Sequence, residues 1–436
     1  MLYWYRPQAI VLPEQHIDFR PYSSDALALL HQVQQHCPSA SIQGWDHRTL
    51  FYDVALRADN RHLLCIGPAT EPLAPIEFWI DGRRASFLHR RQYGCIALYQ
   101  SQSQVAAGSE VKIRMADYSW QFELAANSLN HADRSLTLVT QQKDNPIAWV
   151  QDWVQYHHKT QGVQRLILYD NASANRQELA TWLQQLHSLE VVLVQWDFPY
   201  GAYIRDAAGR SLQFIEQRQT GSQFGSLNHC NQVFCQGDWL LNLDIDEYLG
   251  GSVPLRHFLM GRRLMNSDRY LFQKRIFTNV LPEEQPADKL LTFRDYRYQN
   301  PDHIYKGRGK KYVARSHPGR CFYIHDCRPA SLETIQRQHP STICKAFVTR
   351  WRTFLNKLQL GRLVWSKAVL SLGVIRIPVP VIRSLCRFFY EYHGLCTNWK
   401  PGTEVRTQRI VLSDSPKGMR YVEDTSIIRN AEREGI

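Results

Sequence analysis

Asp244, Asp246 and Glu247 stand at the end of an apolar run, Trp239-Leu240-Leu241-Asn242-Leu243, in which only Asn242 is polar. A run of that kind suits a buried strand in a sheet covered on both faces. Acids at its carboxyl end fall where open α/β sheets bind ligands, and period-2 geometry points Asp244 and Asp246 to one side. Two carboxylates there offer a seat for Mn²⁺ or Mg²⁺, hard cations that take oxygen ligands and carry phosphate with them. A strand running into a solvated acidic turn gives the same letters, so the flanking elements have to decide.

Upstream, those elements read as alternating strands and helices. A strand is predicted over 136–140, then Lys143-Asp144-Asn145-Pro146 breaks it, with Pro146 placed as a first helical residue after an Asn cap. Ile147, Val150 and Val154 fall at helical spacing, and Gly162 closes that helix. A strand over 163–169 ends in Asp170-Asn171-Ala172-Ser173, and a helix over 177–187 and a strand over 191–195 follow. Helices over 213–219 and 223–234 then deliver the chain to the acidic strand. The β-α-β-α-β rhythm implies a parallel, right-handed, doubly wound sheet with helices on its faces. Ahead of it, from about Arg48 to Leu124, short β-rich runs alternate with turn residues, and Asp81-Gly82 is a strong hairpin signal. A small antiparallel β-sandwich is expected there, serving either acceptor binding or packing. Residues 1–130 are thus read as an N-terminal β-rich domain, 131–335 as an α/β domain, and 336–436 as a basic helical region with a polar tail.

Composition sets the outer bounds. The 436 residues are 44% hydrophobic and 21% charged, which fits globular domains. Ten cysteines are scattered without a disulfide framework, and no secretory signal or long apolar span occurs, so a reducing, cytoplasmic setting is expected. Cys230 with Cys235 and Cys321 with Cys327 lack zinc-site spacing and read as buried or idle thiols. The net charge of +12 is uneven: between Glu333 and Glu391 there is no acid, while Lys and Arg recur from Arg337 to Arg387. Over 345–372 those cations share a segment with an apolar stripe that includes Trp351, Leu358 and Trp365, a pattern that can lie on an anionic membrane or dock on the protein itself. No nucleic-acid readout module accompanies it.

Taken together, Lys143-Asp144-Asn145, Trp153 with Tyr156-His157, Gly162-Val163, Tyr169-Asp170-Asn171-Ala172-Ser173, and Asp244-Ile245-Asp246-Glu247-Tyr248-Leu249 resemble the succession in family 2-like and family 92-like glycosyltransferases of the GT-A fold. The resemblance covers roughly 200 residues and neither terminal region; Asp144 and Asn145 stand where the pattern has Asn and Glu, and Asp152 where it has Glu. It implies a metal-dependent transferase taking a nucleotide-sugar donor, uridine-linked in our reading, to a glycan or lipid-linked acceptor. It places Asp170 at the nucleoside, Asp246 on the metal, Asp244 at the ribose or the metal, and His325 as a late metal ligand. Lys143 belongs to the first donor loop, and Asn228 borders the donor cleft. Lys310, Lys311 and Arg315 are candidates to stabilise the departing diphosphate, as developing negative charge requires. An inverting enzyme needs a carboxylate base near the acceptor hydroxyl, for which Glu247, Asp295, Asp302 and Asp326 are the candidates. His157-His158 cannot chelate one ion together, since adjacent helical residues point about 100° apart, and core packing or capping is expected of them. The rival reading is a non-catalytic carbohydrate-binding protein at a membrane surface.

Overall fold

The computed structural model describes residues 1–13, 22–69, 74–92, 96–127, 129, 135–215, 222–250, 253–261, 269–278, 293, 298–299, 311–325, 327–329, 393–396, 422–423 and 426–436. Its centre is a mixed sheet. Leu2–Tyr5, Glu190–Gln195, Arg165–Asp170, Leu136–Gln142 and Trp239–Asn242 lie side by side in that order and run parallel. Lys311–Arg315 then adds antiparallel to Trp239–Asn242, and Arg269–Thr278 antiparallel to Lys311–Arg315.

The parallel strands are apolar on both faces because both faces are covered. Alternate residues part accordingly: Leu136, Leu138, Leu166, Leu168, Val191, Leu193 and Leu241 enter one core, and Val139, Ile167, Tyr169, Val192, Val194 and Leu240 the other. On the first face lie the helices Ile147–Gln161 and Arg176–Leu183, through Val150, Trp153, Val154, Leu179 and Leu183. On the second lie Ser222–His229 and the π-helical continuation Cys230–Phe234, together with the β-sandwich.

That sandwich forms as expected. Asp53–Leu56, Leu63–Pro68, Ile96–Ser101 and Phe87–Gln92 make one antiparallel sheet; Tyr118–Glu123, Glu110–Met115, Ile76–Ile80 and Arg83–Arg84 make the other. Val54, Leu63 and Cys65 meet Phe78, Val111 and Ile113 between them, while Tyr52, Leu64, Ile66 and Leu98 on the outer side of the first sheet join the second core of the α/β body. Asp81 and Gly82 take φ of 49° and 74°, the positive pair a type I′ hairpin needs.

Several described elements differ from the sequence reading. Ser211–Phe214 is a strand paired with Tyr203–Arg205, not a helix. His393–Cys396, in the region expected to be helical, is a strand beside Glu247–Gly250 and Arg269–Thr278. Ser426–Arg433 near the end of the expected polar tail is a helix, with Ala431 in the first core. The amphipathic stretch 345–372 lies outside the described residues. Among the described residues no helix is long and apolar enough to cross a membrane, and Cys230, Cys235, Cys321 and Cys327 are buried.

Candidate functional site

From Leu136–Gln142 the chain steps outward through Arg165–Asp170 to Glu190–Gln195, then returns to the opposite flank of Leu136–Gln142 as Trp239–Asn242. Where strand order reverses in this way, the loops leaving two neighbouring strands diverge and open a crevice at their carboxyl ends. Here one wall is the loop 143–146 with the start of the Ile147–Gln161 helix, and the other is the turn 243–247. Lys143 is exposed on the first wall. Pro146 is the N-cap of that helix, and no side chain caps it, since Asn145, expected to do so, hydrogen-bonds through its side chain to Gln142 Oε1 at 3.2 Å.

Most residues of the loop motifs fasten the loops to one another. Gln142 donates to Ser173 Oγ (3.0 Å), the Asp144 N–H donates to the same oxygen (3.0 Å), and Asp144 Oδ1 accepts the Ala174 N–H (2.8 Å). Asn171 donates to the carbonyls of Trp196 and Phe198, both at 2.7 Å. Asp170, expected at the nucleoside, is instead an internal anchor: it is fully buried, and its carboxylate is taken by Gln142, Arg176 and the Ser173 N–H. A carboxylate with those partners has no face left for a base or ribose. Arg176 is what reaches outward there, bridging Asp170 to Asp197 with its side chain 18% exposed. Sequence reasoning passed over it because it opens a helix without belonging to any motif.

On the other wall the strand stops at Asn242, and Asp244 to Glu247 form a tight turn in which the Glu247 N–H donates to Asp244 O at 2.9 Å. Period-2 geometry therefore does not govern Asp244 and Asp246. Glu247 Oε2 accepts the Asp244 N–H at 2.9 Å, closing the turn from its own side chain. Antiparallel register puts Tyr312 opposite Asn242, so Lys311 arrives just past the strand end and meets the acids. Its ammonium lies 3.0 Å from Asp244 Oδ2 and 2.9 Å from Glu247 Oε2, and its side chain is 1% exposed. Two expectations change as a result. Glu247, also 1% exposed, holds the turn instead of acting as a base, since a base must reach the acceptor hydroxyl. Lys311 acts on the turn and not directly on a diphosphate. Arg315 lies four residues further along the same strand, roughly 13 Å away at about 3.3 Å per residue, with its guanidinium over Trp239.

The strand Glu247–Gly250 that leaves the turn is held by one face of the Ile147–Gln161 helix. Trp153 Nε1 donates to Glu247 O (2.9 Å), while Tyr156 Oη and Gln161 Nε2 both donate to Leu249 O (3.1 and 2.9 Å). His157 Nε2 accepts the Leu249 N–H at 3.2 Å, and its Nδ1 lies 2.8 Å from Trp153 O. One nitrogen accepts and the other donates, so the ring is neutral, and burial lowers its pKa to about 4 despite the opposing pull of the Trp153 carbonyl. His158 turns away to cap the helix end on Val163 O at 2.7 Å. The packing and capping roles expected of this histidine pair hold.

Asn228, expected to face the donor, is fully buried and ties its helix to the strand Arg320–Phe322: it donates to Phe322 O (2.9 Å) and accepts the Phe322 N–H (3.0 Å). His325 follows that strand, and Asn242 donates to the neighbouring Ile324 carbonyl at 3.1 Å, so the histidine's backbone does pass near the acidic strand. Yet among the described residues no three His, Cys, Asp or Glu side chains gather as metal ligands. Asp244 and Glu247 already hold a lysine ammonium. Of the three expected ligands, Asp244 is paired with Lys311, and among the described residues Asp244, Asp246 and His325 do not gather into one cluster. Lys310, Asp295, Asp302 and Asp326 lie outside the described residues.

Asp246 faces a small pocket between the two walls, which it lines with Trp149, Asp152, Ile245, Tyr248 and Phe293. Trp149 and Asp152 are three apart on the helix and so share a face, a spacing visible in the sequence but not informative until the turn is packed against it.

The fold and crevice define an α/β protein with a ligand cleft at a strand-order reversal. No protein-family model matches the chain, and no curated protein matches it. Among solved structures, a protein described as a glucose-1-phosphate thymidylyltransferase from Bacillus anthracis, in complex with sucrose, is 10% identical with a TM-score of 0.23, covering 42% of this chain and 71% of its own. HddC from Yersinia pseudotuberculosis is 14% identical with a TM-score of 0.22, covering 42% of this chain and 73% of its own. Scores of this size carry no argument about activity.

Proposed function

We propose that the chain is a GT-A type glycosyltransferase that moves a sugar from a nucleotide donor, uridine-linked in our reading, to a glycan or lipid-linked acceptor. The observation that carries the proposal is a crevice at the strand-order reversal that presents both a cation and carboxylates. Lys143 and the start of a helix without a side-chain cap stand on one wall, and Asp244 and Asp246 on the other. Helix N-termini and lysines attract diphosphates, and carboxylates accept hydrogen bonds from sugar hydroxyls. During transfer, positive charge grows at the anomeric carbon and negative charge on the departing diphosphate, so carboxylates and a cation lining one crevice can each stabilise one end. No step is assigned to Mn²⁺ or Mg²⁺: Lys311 holds Asp244 and Glu247, while Asp246, which the resemblance places on the metal, lines the pocket.

Titration calorimetry with uridine and guanosine diphosphates tests this on the wild type and on Lys143→Ala. Uridine diphosphate is expected to bind, and loss of Lys143 to weaken it about tenfold, the worth of one charge-assisted hydrogen bond. Absence of binding by either nucleotide, or affinity indifferent to Lys143, overturns the proposal.

A further inference from the structure

The strand that leaves the acidic turn is held along both edges. In an extended chain the N–H and C=O of one residue face one edge and those of the next residue the other. The groups of Glu247 and Leu249 go to the Ile147–Gln161 helix, through Trp153, Tyr156, His157 and Gln161. Those of Tyr248 and Gly250 therefore face the opposite edge, where Leu395 and His393 lie across from them in antiparallel register. Both residues are buried, so their backbone groups need that partner. His393–Cys396 in turn runs parallel to residues 273–276 of Arg269–Thr278, whose first half pairs with Lys311–Arg315, itself paired with Trp239–Asn242. Five strands thus form a ring of pairings, and the acidic turn is the covalent link that closes it, from Trp239–Asn242 to Glu247–Gly250. The helix Ser426–Arg433 adds a second contact from the same end of the chain. It packs against Glu247–Gly250 and the Ile147–Gln161 helix, and Lys159 donates to the Gly435 carbonyl at 3.4 Å.

We infer that His393–Cys396 is a positioning element for the crevice: seated in the ring it fixes the turn that carries Asp244 and Asp246, and unseated it leaves that turn hinged on Asn242 and the ligand site disassembled. Withdrawing this strand opens a slot between Arg269–Thr278 and Glu247–Gly250 about two strand spacings wide, roughly 10 Å. Helix side chains still bond Glu247 and Leu249, so the outgoing strand stays by the helix but is free to pivot along its other edge. The remaining ties of the turn, from Glu247 and Lys311 to Asp244, are internal to it or come from the neighbouring strand, and do not replace a lost edge. Apparent affinity then scales with the fraction of molecules in which the strand is seated. The identity of the ligand, a nucleoside diphosphate, rests on the reading above; the coupling of strand to turn does not.

Native-state hydrogen exchange on the intact wild-type chain tests this without a substitution. The amides of Tyr248 and Gly250 are expected to open in one step with those of 393–396 and with the Asp244 and Glu247 amides whose bonds define the turn. Uridine diphosphate at about 100 times its Kd is expected to slow all of them about 100-fold, because the open form does not bind it. Leu395→Pro removes the N–H that faces Tyr248. In that variant nucleotide affinity is expected to fall about tenfold or more, while the amides of Glu190–Gln195 stay protected. Turn amides that open independently of Tyr248 and Gly250 overturn the inference and spare the transferase reading. So does a nucleotide that binds Leu395→Pro as tightly as the wild type while Tyr248 exchanges fast. Should no nucleotide bind, the transferase reading falls, and joint opening of turn and strand decides the inference by itself.

Discussion

Lowering the pH from about 7 to about 4.5 is expected to loosen the acidic turn through His157. The ring is fully buried, it accepts the Leu249 N–H at Nε2, and its Nδ1–H meets the Trp153 carbonyl. A second proton would sit on Nε2 facing another N–H, in a site where burial already opposes charge. The folded pKa of about 4 lies below the ordinary 6.5, so in the window between them the unfolded chain binds a proton that the folded chain refuses. Stability from this group is therefore full above about pH 6.5 and falls as pH drops towards 4. A gap of about 2.5 units at about 1.4 kcal/mol each limits the loss to roughly 3 kcal/mol, against a typical total of about 5–15 kcal/mol. Denaturant unfolding of the wild type and His157→Gln between about pH 7.5 and 4.5 isolates the effect. The variant starts lower, having lost part of the bonding to Leu249 and Trp153, but lacks this component of the pH slope. Because Leu249 lies in the strand that leaves the acidic turn, nucleotide affinity is expected to fall more steeply over the same window in the wild type than in the variant, protonation of the terminal phosphate acting on both alike. Parallel stability curves for the two proteins from pH 6.5 down to 4.5 would refute a neutral, buried His157.

Two further predictions concern residues whose roles the structure reassigns. Lys311→Met leaves Glu247 buried without its cation and is expected to cost about 3 kcal/mol, with little added for Asp244, whose side chain is 38% exposed. In that variant the freed carboxylates can take Mn²⁺, so added Mn²⁺ is expected to raise its Tm more than the wild type's; an unaltered Tm would show that the ion pair carries no stability. Asn228→Ala removes the clamp on Phe322 and is expected to cost about 1–3 kcal/mol by unfolding while leaving uridine diphosphate affinity as it was. A selective loss of nucleotide affinity at unchanged stability would return Asn228 to the donor cleft.

Strands covered on both faces were legible because burial leaves continuous apolar letters, as in 191–194 and 239–241. The Ile147–Gln161 helix was legible from its period and from Gly162, whose φ of 74° is costly for a residue with a side chain. Ser211–Phe214 was not, since its strand state comes from pairing with Tyr203–Arg205 across a turn at Gly209, whose φ is 76°. Tertiary pairing overrode a polar sequence with no clear β pattern. Leu2–Tyr5 and Lys311–Arg315 were missed for the same reason: each becomes a strand by adding to one already formed, and short segments leave weak periodicity.

The site was legible in place but less so in role. Residue types at motif positions reveal that a side chain is polar in an apolar setting, but not which partner, some 60 to 100 positions away, will satisfy it. Asn228 finds Phe322, Trp153 finds Glu247, and Lys311 finds Asp244 and Glu247. A crevice at the edge of a sheet is made of loops, and loops hold their shape only when their buried polar groups are bonded. Most motif residues are therefore spent on keeping the walls fixed. The polar side chains near the walls with solvent-facing surface include Lys143, Asp144, Asp152, Arg176, Asp244 and Asp246. Substitution at those positions tests ligand contact, whereas substitution at Asp170, Asn171, Asn228 or Glu247 tests the scaffold. Loss of activity at the second group alone would therefore say nothing about which residues meet a ligand.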